Sequence, residues 1–482
     1  MRILAVATVL LVACKAREAT PPPPSSSSSP SPSPSAPAIS DGRWRAQLDS
    51  PGGELGFILH LAAAGAPGPA AWIENGEERV PIERVTRDAG SLVLGMDHYD
   101  AVIEAKLESP GVLAGRWRKT LPTGHAELPF RATLGAAPRF TPPATPPSPA
   151  PSPPSPAPSP PSPAPSPHSS GAPAAPSFNG SWRVTLRDAD GESPAVAVLH
   201  VRGHEATGTF LTPTGDYRYL AGDAYGDQLR LSAFDGAHAF LFHLRLAPGG
   251  FEGDFWSRDS YHATLTGTPL DEADVPRALP DAFAEVTVTN PERRLRFSFP
   301  SLDGGVVTND DPRFAGKVVI VELFGTWCPN CNDAAPLLAE WHQRYRARGL
   351  ELVGLAYEFT GDPARDTEML RRHRDKYHLQ FPLLLAGVSD KAEAGKTLPD
   401  LSAVKSYPTT IFLGRDGRVA KIHSGFAGPG TGRYYRDMVA ELEGVLEGLL
   451  DQEPAATQGR QRSSRADAHA DPRDTSRHRR FR

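Results

Sequence analysis

Cysteine is nearly missing from this chain: there are three in 482 residues. One of them, Cys14, sits in an apolar N-terminal run, so the rest of the protein holds a single Cys-x-x-Cys pair, Cys328 and Cys331. Long apolar runs are missing too. No stretch of about 20 apolar residues occurs, which excludes a helix spanning a membrane. There is also no excess of positive charge: 51 basic residues stand against 56 acidic ones, and the net charge of −5 gives no basis for nucleic-acid binding. A zinc site needs about four ligands, and no further cysteine is available. His200 and His204 are four apart, but they flank a strand and a Gly turn rather than one face of a helix. No metal and no cofactor is expected.

What the chain has in excess is proline, 51 residues concentrated in two tracts. Thr20 to Ala38 is nearly all Pro and Ser, and Thr141 to Pro176 repeats Pro-Ser-Pro-Ala units. Neither can bury a core, and proline holds both in extended polyproline geometry. At ~3.1 Å per residue they reach ~60 Å and ~110 Å, the dimensions of stand-off spacers. The N-terminus reads Met1-Arg2, then an apolar run from Ile3 to Ala13, then Cys14, which is the pattern of an export signal. Leu11-Val12-Ala13-Cys14 resembles the bacterial lipobox, and the resemblance implies lipid modification of Cys14, a membrane anchor and an extracytoplasmic, periplasmic location.

The spacers isolate two segments with matching texture. Gly42-Arg43-Trp44-Arg45 matches Gly180-Ser181-Trp182-Arg183, residues 102–107 match 241–246, and Gly115-Arg116-Trp117 matches Gly253-Asp254-Phe255. One offset of about 138 runs through all three. Short alternating runs such as Gln228-Leu229-Arg230-Leu231-Ser232, broken by Gly and Asp-Gly turns, predict two repeated all-β domains, each a sandwich or a small barrel. Trp44, Trp117, Trp182 and Trp256 are candidates for a ligand surface, although tryptophan in a core is the commoner arrangement.

From about residue 281 the texture changes to α/β. Leu295–Pro300 alternates like an edge strand, and Val318–Leu323 is the continuous apolar run of a central buried strand. A helix is predicted from Pro329 to about Arg348. A strand follows at 351–356, a polar helix at about 363–378, a strand at 381–385, a hairpin at 409–423 turning on Asp416-Gly417, and a closing helix at about 433–450. The expected organisation is a signal at 1–14, a tether at 15–39, β domains at 40–140 and 177–270 joined by a linker at 141–176, a redox domain at 281–452, and a disordered tail at 453–482.

Cys328-Pro329-Asn330-Cys331 stands where a buried strand runs into a helix. A helix N-terminus carries partial positive charge and unpaired N–H groups, which stabilise a thiolate, the nucleophile of disulfide exchange. A purely structural disulfide would close too small a loop to constrain much. Gly325-Thr326-Trp327-Cys328-Pro329-Asn330-Cys331, then Pro336, then Tyr407-Pro408-Thr409-Thr410 and Asp416-Gly417 come in the order of the active-site signature, the kinking proline, the cis-proline loop and the hairpin of thioredoxin-fold redoxins. Residues ~290–450 resemble the TlpA/ResA type, extracytoplasmic thiol–disulfide oxidoreductases.

That resemblance implies Cys328 as an exposed attacking thiol, Cys331 as the buried resolving thiol, and the two together as a redox-active disulfide. Pro408 would be cis and would set the Tyr407 backbone beside the sulfurs. Trp327, Tyr407 and Thr409 would meet substrate. Glu322, six residues before Cys328, matches a buried acid that takes the proton of Cys331. Two departures stand out. No lysine faces Glu322 from Leu352–Ala356, and Ala334 stands where ResA-type proteins carry a glutamate. The implied partners are protein thiols and disulfides and a membrane thiol donor, and the implied direction is reduction, as in cytochrome c maturation. Two other classes are weighed. A peroxiredoxin-like peroxidase would need Pro and Thr where Val321 and Gly325 stand, and a binding or scaffold lipoprotein would make the redox module subordinate.

Overall fold

A computed structural model describes residues 38–143 and 177–453, apart from 64, 89, 122 and 136. Cys14, most of the first tether, the linker residues 144–176 and the tail from 454 lie outside the described residues. Among the described residues no helix is long and apolar enough to cross a membrane.

Each β segment forms nine strands among the described residues, over Gly42–Leu134 and Gly180–Leu270. Alternating apolar side chains point to one face and build the cores, and glycines at positive φ close tight hairpins, as Gly226 (φ +63°) does between Tyr225 and Gln228. Numbered within its own segment, each sheet runs 3-2-1-9-8-7-6-5. In the second segment the third strand, Glu205–Thr212, also pairs with the fifth, Leu220–Tyr225, and eight strands close into a barrel. Its interior is filled by aromatic rings. Phe242 stacks between Phe210 and Phe255 at 4.4 Å from each, with Tyr217 edge-on. An eight-stranded barrel is just wide enough for such a packed core.

The first segment lacks that last pairing and stays open, a half-barrel. The second segment fills its mouth. Phe234, Ala237, Ala239 and Leu241 all belong to the core of the first unit, and the Phe234 ring lies 4.6 Å from Phe57 and 5.9 Å from Trp117. Polar groups seal the joint. Trp117 Nε1 donates to Gly236 O (2.8 Å), and the fully buried Asn75 donates to Phe234 O (2.9 Å) while accepting from Phe234 N (3.2 Å). Buried side-chain amides need such partners. Trp44, Trp117 and Trp182 are buried in the cores rather than arrayed as a ligand surface, and Trp256 packs partly buried against the first unit.

The C-terminal domain is a five-stranded mixed sheet with helices on both faces. Its elements are β1 (Val318–Phe324), α1 (Pro329–Tyr345), β2 (Leu350–Glu358), α2 (Pro363–Tyr377), β3 (Leu383–Val388), α3 (Lys391–Thr397), β4 (Thr409–Leu413), β5 (Val419–Ser424) and α4 (Arg433–Leu450). The sheet order is β3-β2-β1-β4-β5, with β1, β2 and β3 parallel and β4 antiparallel to β1. All seven residues of β1 are buried, as its unbroken apolar run requires. Two expectations are corrected: the edge strand is only Ser298–Pro300, and α3, capped by Asp390, follows β3 where no helix was read.

Phe234 is the ring that the second β unit places in the core of the first. Phe234→Ala should lower the stability of the full chain by about 3–5 kcal/mol in urea unfolding. A loss under about 1 kcal/mol would mean that the first unit does not depend on the insertion.

Candidate active site

The chemistry begins where β1 ends. Gly325-Thr326-Trp327 turns the chain, Cys328 takes an extended conformation as the N-cap of α1, and Pro329 occupies the first helical turn, where a missing N–H costs nothing. Cys328 Sγ accepts from Cys331 N (3.4 Å) and donates to Tyr407 O (3.3 Å). Cys328 and Cys331 are free thiols. The Tyr407–Pro408 peptide is cis. Burial, reinforced by the adjacent Cys328, pushes the Cys331 thiol well above its usual range. Two thiols one helical turn apart can pass an external disulfide through a mixed disulfide, provided the inner thiol can lose its proton.

Glu322 is 4% exposed, and its Oε2 has no hydrogen-bond partner. Burial raises its pKa to about 8. It shares with Cys331, Phe324, His373 and Leu383 a cavity of about 10 Å³, the room of one water. The position opposite it on β2 is Gly354, so no cation offsets the acid.

The turn before Cys328 is held by residues that sequence reading missed. Glu358, at the end of β2 and 2% exposed, accepts from Thr326 N (2.9 Å) and Thr326 Oγ1 (2.7 Å), and burial raises its pKa to about 7. Asn332 donates to Thr326 O (2.9 Å) and Cys328 O (2.8 Å) and accepts from Tyr377 OH (2.9 Å). Trp327 Nε1 donates to Tyr357 O (2.9 Å), and its ring stacks on Phe359 at 4.4 Å. An acid closing the strand beside the Cys-x-x-Cys strand is a readable signal for Glu358, whereas Asn332 carries none.

Two expectations are overturned. Thr409 does not meet the cleft: it is 1% exposed and donates to Ser406 O (2.8 Å) within its own loop. Cys328 is not exposed either, with only 4% of its surface accessible. The cover comes from the second β unit, whose Thr212–Tyr217 hairpin lies over the site. Asp216 accepts from Asn330 Nδ2 (2.7 Å), inside the Cys-x-x-Cys motif, and from Gly428 N (2.6 Å). Arg218 donates to Asp333 (2.8 Å) on α1 and pairs with Glu78 of the first unit. Trp327, Tyr407, Pro408 and the two cysteines thus come together with Glu322 beneath them, and a residual cleft of about 270 Å³ leads from solvent to Cys328.

The family comparisons agree with this geometry. Residues 288–445 match the Redoxin family model, so the C-terminal third is a redoxin domain, and its site is that of a thiol–disulfide oxidoreductase. Among curated proteins, the chain is similar to the thiol-disulfide oxidoreductase ResA of Halalkalibacterium halodurans, 25% identical over 135 residues, 28% of this chain and 68% of that one. It is also similar to the thioredoxin-like protein YneN of Bacillus subtilis, 28% identical over 141 residues, 29% of this chain and 75% of that one. Among solved structures, a secreted Mycobacterium tuberculosis disulfide oxidoreductase homologous to Escherichia coli DsbE aligns over 31% of this chain and 98% of its own, at 23% identity and a TM-score of 0.24.

The Glu322 carboxyl has a testable signature. Its folded pKa of about 8 lies above the 4.5 of an exposed glutamate, so the folded state keeps a proton that the unfolded chain releases between those values. Its contribution to stability is full at low pH and is lost as pH rises through about 8. Glu322→Gln should therefore shrink the stability drop between pH 4.5 and pH 8 by about 4 kcal/mol, read by denaturant unfolding at both pH values. An unchanged drop would place the carboxyl in water.

Proposed function

We propose that the full chain is a membrane-tethered, extracytoplasmic thiol–disulfide oxidoreductase that works as a reductant. One observation carries the reading: Cys328 caps α1 with Cys331 one turn along, beside the cis Tyr407–Pro408 loop and above a buried acid. Cys328, as thiolate, attacks a disulfide sulfur, and a mixed disulfide forms as one thiolate leaves. The ionised form of Glu322 then takes the Cys331 proton through the small cavity, becoming the neutral acid, and the Cys331 thiolate attacks the Cys328 sulfur. The second thiolate departs and the chain is left as a Cys328–Cys331 disulfide. Two electrons have gone to the substrate, and a thiol donor at the membrane returns them.

Cys14 supplies the lipid anchor, and the proline tracts act as stand-off spacers. The two β units are copies of one domain. The offset of about 138, the shared eight-strand order, and an indole in each first strand that donates to the carbonyl four residues earlier (Trp44 to Ser40 O, 3.2 Å; Trp182 to Phe178 O, 2.9 Å) support the duplication. The names of the relatives support disulfide exchange, and reduction is the direction the ResA-type resemblance implies.

Cysteine variants separate the two thiol roles. Cys328→Ser should lower exchange with a disulfide reagent at least about a hundredfold. Cys331→Ser should keep the first step and accumulate a mixed disulfide at Cys328, visible on a non-reducing gel and by mass. Trapping in Cys328→Ser instead would reverse the assignment.

A further inference from the structure

The redox domain and the barrel meet directly over the reactive thiol. The hairpin turns at Thr212-Pro213-Thr214-Gly215, held by Gly215 N donating to Thr212 Oγ1 (3.1 Å). Its tip is wedged between two parts of the site. On one side Gly215 lies so close to Asn330 that a Cβ would run into Asn330 Oδ1. On the other, Pro213 and Thr214 press on Gly425, whose N–H donates to Pro408 O (3.0 Å). The hairpin therefore covers the flank of the Tyr407–Pro408 loop along which an extended chain would have to lie. Asp216 is 7% exposed and Arg218 8%, and both make hydrogen bonds across the joint, so the cover is a packed contact rather than a loose one.

The way in that remains is the cleft of about 270 Å³, walled by Thr214, Tyr217 and Phe240 from the barrel and by Trp327, Cys328 and Tyr407 from the redox domain. That volume lies just below the usual range of small-molecule sites, about 300–1,000 Å³, and is too small for a strand of a folded protein with its neighbours. The rings of Tyr217, Phe240, Trp327 and Tyr407 offer a surface for the carbon and sulfur of a small disulfide, and Lys391 and His238 add polar groups beside them.

We infer that the barrel hairpin is the specificity element of the redox site, and that with it docked the substrate reaching Cys328 is a low-molecular-weight disulfide. The inference rests on the exchange chemistry proposed above and narrows its substrate class. The balance is that of one two-electron exchange. Cys328 bonds to one sulfur of R–S–S–R and releases RS⁻; Cys331 then bonds to Cys328 and releases the second RS⁻. The small disulfide is reduced to two thiols, the chain is oxidised to one disulfide, and an external thiol restores it.

The test uses the full chain, reduced, mixed with oxidised glutathione or with insulin, and follows tryptophan fluorescence. Per disulfide, oxidised glutathione should react at least about tenfold faster than insulin. Asp216→Ala, which removes the acceptor for Asn330 and Gly428, and Gly215→Leu, which forces the tip off Asn330, should each lower that preference at least about tenfold by speeding insulin. Insulin reacting as fast as oxidised glutathione in the unaltered protein, or a preference unmoved in a folded variant, would overturn the specificity role while leaving the exchange chemistry intact. Reaction with neither reagent would instead overturn the chemistry itself.

Discussion

The contact on which this molecule turns is the hydrogen bond from Asn330 Nδ2 to Asp216, 2.7 Å long and buried. It joins a residue between the two cysteines to a residue in a barrel more than a hundred positions earlier. A carboxylate that also accepts from Gly428 N and from Arg218 N at 2.6 Å is fixed in direction, and so fixes what it touches. Arg218 carries the tie onward to Asp333 on α1 and to Glu78 in the first β unit. Further contacts widen the joint: Arg372 donates to Asp97 O (2.9 Å), and Lys376 lies 3.4 Å from Glu83. Because the first unit's open core is closed by Phe234 of the second, all three bodies are linked, and the geometry around Cys328 belongs to the whole assembly rather than to the redox domain alone.

Burial has a second consequence at the site. Glu322, Glu358 and Cys331 are all pushed toward their protonated forms by desolvation, to about 8 for Glu322 and about 7 for Glu358. Burial thus holds the resolving thiol in reserve until the ionised fraction of Glu322 takes its proton. Glu322 is the one acid that shares a cavity with Cys331, while Glu358 spends both oxygens on Thr326. Two buried acids on neighbouring strands thus differ in task because Glu358 has both oxygens hydrogen-bonded while Glu322 keeps Oε2 free. The absence of a lysine opposite Glu322, where Gly354 stands, keeps that acid protonated to higher pH than a paired one would be.

Local signals carried far in this chain. The apolar run 318–323, the Pro after Cys328 and the Asp416-Gly417 turn each have one physical reading, and β1, the start of α1 and the β4–β5 hairpin lie where those readings put them. The alternating runs of the β segments announced strands, but closure is a property of pairings between distant strands. Nothing local distinguishes a third strand that meets a fifth from one that does not. The short α3 was hidden because its seven residues, Lys391–Thr397, offer too few turns for a periodic stripe. The resemblance implies that Thr409 meets substrate because a family motif names a loop without saying which side chains turn inward. The cover over Cys328 was illegible for a related reason: Asp216 and Arg218 are unremarkable hairpin residues until the barrel meets the redox domain.

The central claim is that Cys328 and Cys331 form one reversible two-electron couple on the reducing side. An equilibrium titration of the full chain against glutathione, followed by tryptophan fluorescence with Cys328→Ser as the blank, tests it most directly. The account predicts a single two-electron transition near or below about −250 mV that vanishes in the blank. A transition near −120 mV, the range of a strong oxidant, or no reversible transition at all, would contradict it.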